Sequence, residues 1–182
     1  MIKDNWEKLP QCWKLSAYKN WLLFIKKQFP LSTFLWDDSY GLDFLICKEL
    51  NIESNDPEKD LRRLDEIITK EINDLDIATL DAIFSMQFMS FTKEINYLSP
   101  MIYFPNTRVL DFHCTNESMI TDFSPLQRLE NVFVLDYSDY IIIDFDKDSN
   151  IRDFNNIHYV KCNGMPEKEI NCILKDLRDY KI

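Results

Sequence analysis

A spacing of mostly apolar residues repeats through the second half of the 182-residue chain. The positions of one unit recur once downstream and once upstream with the same internal spacing, and a weaker copy lies further upstream. They are Leu129, Val132, Leu135 and Tyr137, then Ile151, Phe154, Ile157 and Tyr159, upstream Phe104, Thr107, Leu110 and Phe112, and in the weaker copy Leu80, Ile83, Met86 and Phe88. Because such a period is typical of repeats made of a strand and a return segment, it predicts stacked coils that share one sheet.

The best unit resembles the short leucine-rich repeats of bacterial internalins and phosphatase-regulator scaffolds. Those repeats carry an Ile-x-x-Leu-Ser-Pro-Leu segment before Leu-x-x-Leu-x-x-Leu-x-Leu, and residues 120–126 and 95–101 follow this pattern. A third copy at 142–145 lacks the Ser-Pro, and the family's asparagine after each strand is missing. The resemblance implies an α/β fold, namely a short leucine-rich-repeat solenoid with a parallel sheet.

Helical patterns flank the repeats. Residues 11–29 and 37–50 have helical apolar spacing. In the first range, Ala17, Trp21 and Ile25 fall on one stripe, with Tyr18, Leu22 and Phe29 beside it, and Trp21 is expected in the core. Asp56-Pro57-Glu58 is a strong helix start that leads into spacing maintained to Leu75. A last helix begins at Pro166. Since a solenoid needs covers at both ends, we expect a single domain with a helical cap at 1–78, repeats at 79–164 and a capping helix at 165–182.

The composition narrows the possible functions. Only two glycines occur, which excludes Gly-rich phosphate loops, and the net charge of −10 predicts a cationic partner rather than nucleic acid or membrane. Five scattered cysteines without a CxxC motif indicate reduced thiols, and the N-terminus lacks an apolar signal core. We therefore expect a cytoplasmic protein.

The predicted binding site lies on the sheet and one edge of the repeats. Outward strand positions Gln87, Asp111, Asp136 and His158 form the central ladder of the expected concave face. Beside it, residues 136–148 combine carboxylates with aromatic rings, which suits the capture of Lys and Arg from a basic protein, although such a segment is also compatible with a solvated charge run. The predicted partner-binding residues are Asp111, Asp136, Asp139, Tyr140, Asp144, Asp146, Asp148 and His158.

Neither catalysis nor a metal site is predicted. Asp146-x-Asp148-x-Asn150 begins like an EF-hand loop, but Ile151 replaces the required glycine. His113 and His158 fall on strands two apart, about 10 Å at the usual spacing, which is too far for one zinc ion. We expect no enzyme and no cofactor. Trp6 and Trp13 are candidates for exposed anchors, although covering the first repeat is the commoner use of such residues.

The composition, rich in Ile, Asn, Asp, Lys and Phe, resembles the immunity proteins of bacterial contact-dependent inhibition and related polymorphic toxin systems. This resemblance implies stoichiometric capture of a basic toxin, in many cases a nuclease that attacks tRNA or DNA. Two alternatives stay open at this point. One is a generic leucine-rich adaptor or regulator, and the other is a hydrolase or metal enzyme whose site has no recognisable motif.

Overall fold

The computed structural model describes residues 1–29, 41–52, 54–91, 95–112, 120, 122–130, 132–136 and 157–161, with only the backbone described for 112, 136 and 157–161. The described residues form a mixed α/β structure with a parallel sheet. The chain divides into two compact units, Met1–Ile83 and Phe84–Ile182. The predicted single domain and its internal boundaries stay a prediction, and the predicted helix at 165–182 lies outside the described residues.

The first unit is helical. Its described elements are α1 (Ile2–Lys8), α2 (Gln11–Asn20), a π-helix that continues α2 (Trp21–Lys26), α3 (Leu42–Glu49), α4 (Pro57–Glu71) and α5 (Ile77–Phe84), whose last residue falls in the second unit. Helices α2, α3 and α4 pack against one another. The sequence pattern missed α1 and α5, and it extended α4 to Leu75, beyond the end of this helix at Glu71.

The start of α4 confirms the prediction made from Asp56-Pro57-Glu58. The Asp56 carboxylate accepts a hydrogen bond from the Lys59 backbone N–H at 3.2 Å, and Pro57 occupies the first turn. An aspartate before the first turn satisfies a backbone donor that the helix itself leaves unpaired. Along α4, Leu64 and Ile68 are buried one turn apart, so this helix is held by one apolar face.

The apolar stripe predicted for residues 11–29 is wrong at Trp21 and Ile25, although Tyr18 and Leu22 beside it are buried as expected. Ala17 is buried as expected, but Trp21 is half-buried and Ile25 is 46% exposed. The reason is the π-helix, in which the Lys27 N–H donates to the Leu22 carbonyl five residues earlier. The wider turn changes the helical spacing, so the consecutive residues Leu22 and Leu23 become the buried ones.

The described residues of the second unit include four parallel strands in the order β1-β2-β3-β4. They are β1 (Phe88–Ser90), β2 (Val109–Phe112), β3 (Val132–Asp136) and β4 (Ile157–Lys161). Consecutive parallel strands at these positions confirm that part of the repeat prediction. The first strand starts at Phe88, so the predicted strand residue Met86 lies just before it.

Two short 3-10 turns precede β2 and β3 at matching positions. The first turn is Ser99–Tyr103 and the second is Ser124–Arg128, and each has a proline next to its first serine. Met101 and Leu126 are fully buried at equivalent places in the two turns, and the turns lie against each other. The Ser-Pro segments therefore have a local structural cause: proline fixes the backbone at the start of the turn.

The predicted strand register is wrong, although the strands are right. The expected alignment set Ile157 against Leu135, but Ile157 pairs with Val132. Similarly, it set Phe88 against Phe112, but Phe88 pairs with Val109. In each case both candidate partners are apolar, so spacing by residue type alone could not separate the two alignments.

Candidate functional site

The buried position of Asp111 contradicts its predicted place on an open sheet face. Its exposed fraction is 0%, and its backbone partners Ser90 and Leu135 are 1% exposed. Sequence reasoning assumed that the strands alternate between a buried and a solvated face. Because the neighbouring residues Val109 and Leu110 are also buried, β2 is covered on both faces, as is usual for parallel sheets.

The central ladder predicted from Gln87, Asp111, Asp136 and His158 does not form. Asp136 pairs by backbone with Phe112 on one side and Lys161 on the other, while His158 pairs with Phe133. These residues therefore lie at different levels of the sheet. The remaining predicted site residues, Asp139, Tyr140, Asp144, Asp146 and Asp148, lie outside the described residues, as do His113, Cys114 and Cys162.

The tryptophans considered as exposed anchors are core residues. Trp6 is 6% exposed and its indole N–H donates to the Ile72 carbonyl at 3.2 Å, while Trp13 is completely buried. Trp21, in contrast, is half-buried, and the Lys26 ammonium lies 5.4 Å from its ring centroid. Trp21 is thus the most exposed of these three tryptophans, although the sequence pattern predicts it in the core.

The most concentrated group of charges in the described residues surrounds Lys19. Its Nζ lies 2.8 Å from Asp43 Oδ1 and 3.1 Å from Asp65 Oδ1, and the lysine side chain is only 6% exposed. The three residues come from α2, α3 and α4. No sequence pattern signals this group, because its members are distant along the chain and none belongs to a motif.

The protonation of this group follows from its surroundings. Burial by itself would lower the pKa of Lys19, but attraction and hydrogen bonds from Asp43 and then Asp65 outweigh burial, so the pKa is raised. Lys19 is therefore a protonated cation at neutral pH rather than an amine nucleophile. Its role is structural, since its ion pairs with Asp43 and Asp65 connect three helices.

The Cys47 thiol and the Tyr18 hydroxyl also have structural rather than catalytic surroundings. The Cys47 thiol is buried and approaches the Asp60 carbonyl at 3.9 Å, and burial, followed by the nearby carboxylates of Asp43 and Asp60, raises its pKa to about 11. The Tyr18 hydroxyl donates to the Glu71 carboxylate, and burial, then this acceptor, raises the tyrosine pKa. Such a thiol is a poor nucleophile near neutral pH. Neither Cys12 nor Cys47 is in a disulfide, and the prediction of reduced thiols stays a prediction for the other three cysteines, which lie outside the described residues.

In the second unit, a well-placed ion pair lies beside the described strands. Arg108, 26% exposed, places Nη2 at 3.1 Å from the Glu130 carboxylate, and its Nη1 also donates to the Glu130 carbonyl. Glu130 itself is 84% exposed. This pair joins the segment before β2 to the segment before β3, so it supports the packing of these two segments, with the small energy typical of exposed ion pairs.

Within the described ranges, no three His, Cys, Asp or Glu side chains are placed to hold a metal ion, and no helix is long and apolar enough to cross a membrane. Comparison with family models, curated proteins and solved structures found no match for this chain.

Proposed function

We propose that this protein is a leucine-rich-repeat binding module that acts as an immunity protein in the bacterial cytoplasm. It would bind a cognate basic toxin domain, a nuclease being the best fit, and neutralise it by stoichiometric capture. The acidic side of the repeats would make the contact.

The observation that carries the proposal is the repetition of one local arrangement. The turns Ser99–Tyr103 and Ser124–Arg128 have the same length and the same Ser-Pro start, and they lie against each other. They lead into β2 and β3, which are adjacent and parallel. A turn and a strand that stack on a copy of themselves are the unit of a solenoid, and solenoids present extended surfaces to other proteins.

The charge distribution supports a cationic partner. Residues 1–83 contain 16 acidic and 11 basic residues, and residues 84–182 contain 15 and 10, so each unit has the same excess of carboxylates. Within the second unit, residues 136–148 contain five aspartates and a single lysine. A dense acidic segment attracts the basic cleft with which a nuclease binds its polyanionic substrate, and steers association with it.

The burial of Asp111 narrows the proposed interface. A side chain without exposed surface cannot pair directly with a partner, so Asp111 is withdrawn from the contact surface. The proposed contact residues are Asp136, Asp139, Tyr140, Asp144, Asp146, Asp148 and His158.

Genomic neighbourhood supplies the test. An immunity protein is encoded beside its toxin, so the product of the gene directly upstream is purified and titrated against this chain by isothermal calorimetry. The proposal predicts a tight 1:1 complex, loss of the neighbour's toxic or nuclease activity on complex formation, and survival of cells that express both proteins.

A generic adaptor gives a different outcome. In that case the upstream product neither binds nor harms cells, and expression of this chain changes no growth phenotype. A neighbour that is toxic but unaffected by an excess of this chain would also contradict the immunity proposal. Neither result would bear on the repeated turns and strands, because they are observed in the structure independently of any partner.

A further inference from the structure

The lysines of the chain are distributed unevenly. Between Lys8 and Trp36 there are five lysines and no acidic residue, whereas the rest of the chain carries all 31 acidic residues and 16 basic ones. The expectation that the protein avoids anionic surfaces rests on the net charge of −10, which treats the charge as evenly spread. Screening limits the reach of distant carboxylates to about 8–10 Å at physiological salt, so local charge decides what a surface binds.

The described part of this segment combines exposed lysines with apolar side chains that are exposed or half-buried. Lys26 and Lys27 are exposed, Ile25 is 46% exposed, and Trp21 and Phe24 are half-buried. Lys14 is half-buried two turns before Trp21, on the same helical side. We name these six residues, Lys14, Trp21, Phe24, Ile25, Lys26 and Lys27, the lysine–aromatic surface.

The π-helix is the reason that this surface exists. It places Leu22 and Leu23 inside together, and this leaves Trp21 and Ile25 on the outer side, where an α-helix continuing the Ala17 stripe would have buried them. The segment ends at Gln28, whose φ of 54° is left-handed, and the Phe29 N–H returns to the Leu23 carbonyl at 3.0 Å. The surface is therefore fixed by the backbone.

The carboxylates of the described neighbouring helices do not neutralise the lysines of this surface. Lys27 Nζ donates to Glu49 at 3.3 Å, and the acceptor is the backbone carbonyl of Glu49 rather than its carboxylate. The carboxylates of Asp43 and Asp65 are engaged with the buried Lys19. Among the residues that the structure describes, no carboxylate forms an ion pair with Lys26 or Lys27, so within this part of the chain their charges are available to an anionic ligand.

We propose that the lysine–aromatic surface binds the headgroup region of an anionic membrane. Lysines that flank an exposed isoleucine and a half-buried tryptophan and phenylalanine on one helix are the pattern of helices that lie in the membrane interface, where the cations meet lipid phosphates and the apolar side chains enter the acyl boundary. This binding is peripheral and independent of the toxin partner proposed above.

Co-sedimentation of the full chain with vesicles tests the proposal. The probes are vesicles of phosphatidylcholine alone and vesicles containing about one third phosphatidylserine. We expect binding to the anionic vesicles only, and a weakening of about 25-fold in Lys26→Gln/Lys27→Gln, since each lysine near the surface contributes about fivefold. The matched control, Lys59→Gln/Lys70→Gln, removes two exposed lysines of α4 and is expected to bind like wild type.

A second pair of variants tests the apolar part. Ile25→Ser should weaken binding, whereas Ile77→Ser, which alters another exposed isoleucine, should not. Circular dichroism checks that each variant is folded. Failure of the wild type to sediment with anionic vesicles overturns the proposal, as does an equal loss of binding in the control variants. Neither result bears on toxin capture, because that is measured with a different ligand.

Discussion

The two units of the chain are stabilised in different ways. In the helical first unit, buried polar groups tie distant segments together: Lys19 to Asp43 and Asp65, and the Trp6 indole to the Ile72 carbonyl. In the second unit, the same local arrangement recurs before β2 and before β3, with buried apolar side chains at equivalent places. The stability of the first unit thus depends on particular long-range polar contacts. That of the second depends on a local turn-and-strand arrangement that occurs more than once.

This difference predicts how each unit responds to substitution. A unit that depends on particular partners should be sensitive to which partner is removed. A unit built on repetition should respond alike at equivalent positions of successive repeats.

The largest effect is expected when Lys19 loses both of its acids. Asp43→Ala/Asp65→Ala leaves an ammonium group that is only 6% exposed without its counter-charges, and removing the partner of a buried charge costs about 3–5 kcal/mol. Lys19→Met should cost less, about 1–3 kcal/mol, because Asp65 is 56% exposed and can hydrate, whereas the buried Oδ1 of Asp43 loses its partner. Urea unfolding followed by far-ultraviolet ellipticity, which reports on the helical unit, measures both.

The matched control is Glu66→Ala/Asp81→Ala, which removes two exposed carboxylates and should stay within about 0.5 kcal/mol of wild type. A Lys19→Met variant less stable than the double aspartate variant would show that the lysine acts by packing alone. The pH dependence has a definite sign. Since the folded pKa of Lys19 lies above its ordinary value of 10.5, its contribution is complete at neutral pH and disappears only in alkali, as pH rises through the folded pKa.

The next effect concerns the repeated turns. Leu126→Ala and Met101→Ala each remove a fully buried side chain at equivalent places in the two 3-10 turns, and each should cost about 2–5 kcal/mol. Ile102→Ala, on the 52% exposed isoleucine of the first turn, should cost less than about 0.5 kcal/mol. Thermal unfolding by calorimetry measures all three. A large cost at one buried position and a negligible cost at the other would contradict the equivalence of the two turns.

How far the sequence predicts the fold differs between the units for the same physical reason. The strands and Ser-Pro turns follow from local spacing, which is why β2, β3 and β4 lie where expected. Register does not follow, because the choice between Val132 and Leu135 as the neighbour of Ile157 depends on which apolar residues meet across strands. The cluster around Lys19 joins three helices, and no spacing rule signals such a contact.

The candidate site was harder to predict than the fold. Alternation along a strand assigned Asp111 to an open face, and it failed because residues 109–111 are all buried. Similarly, the α-helical period assigned Trp21 and Ile25 to the core, and it failed because the backbone changes to a π-helix at residue 21. Both errors come from applying a regular period where the structure departs from it.

A smaller effect is expected at the start of α4, where a local contact stabilises the first unit. Asp56→Ala removes the carboxylate that accepts from the Lys59 N–H, and loss of such a cap costs about 1 kcal/mol. Asp81→Ala, an exposed carboxylate within α5, serves as the control and should be nearly neutral. The same urea titration detects the difference, and equal midpoints for the two variants would contradict the capping role.

We propose above that the acidic side of the repeats captures a basic partner. Association kinetics measure this step. The rate is measured by stopped flow at low and moderate salt for wild type, for Asp139→Lys/Asp144→Lys, and for the control Glu66→Lys/Asp74→Lys, which changes the net charge equally on the first unit. We expect the first double variant to associate more slowly and with a shallower salt dependence, while the control stays close to wild type. Equal slowing in both variants, or in neither, would contradict the acidic side of the repeats as the interface.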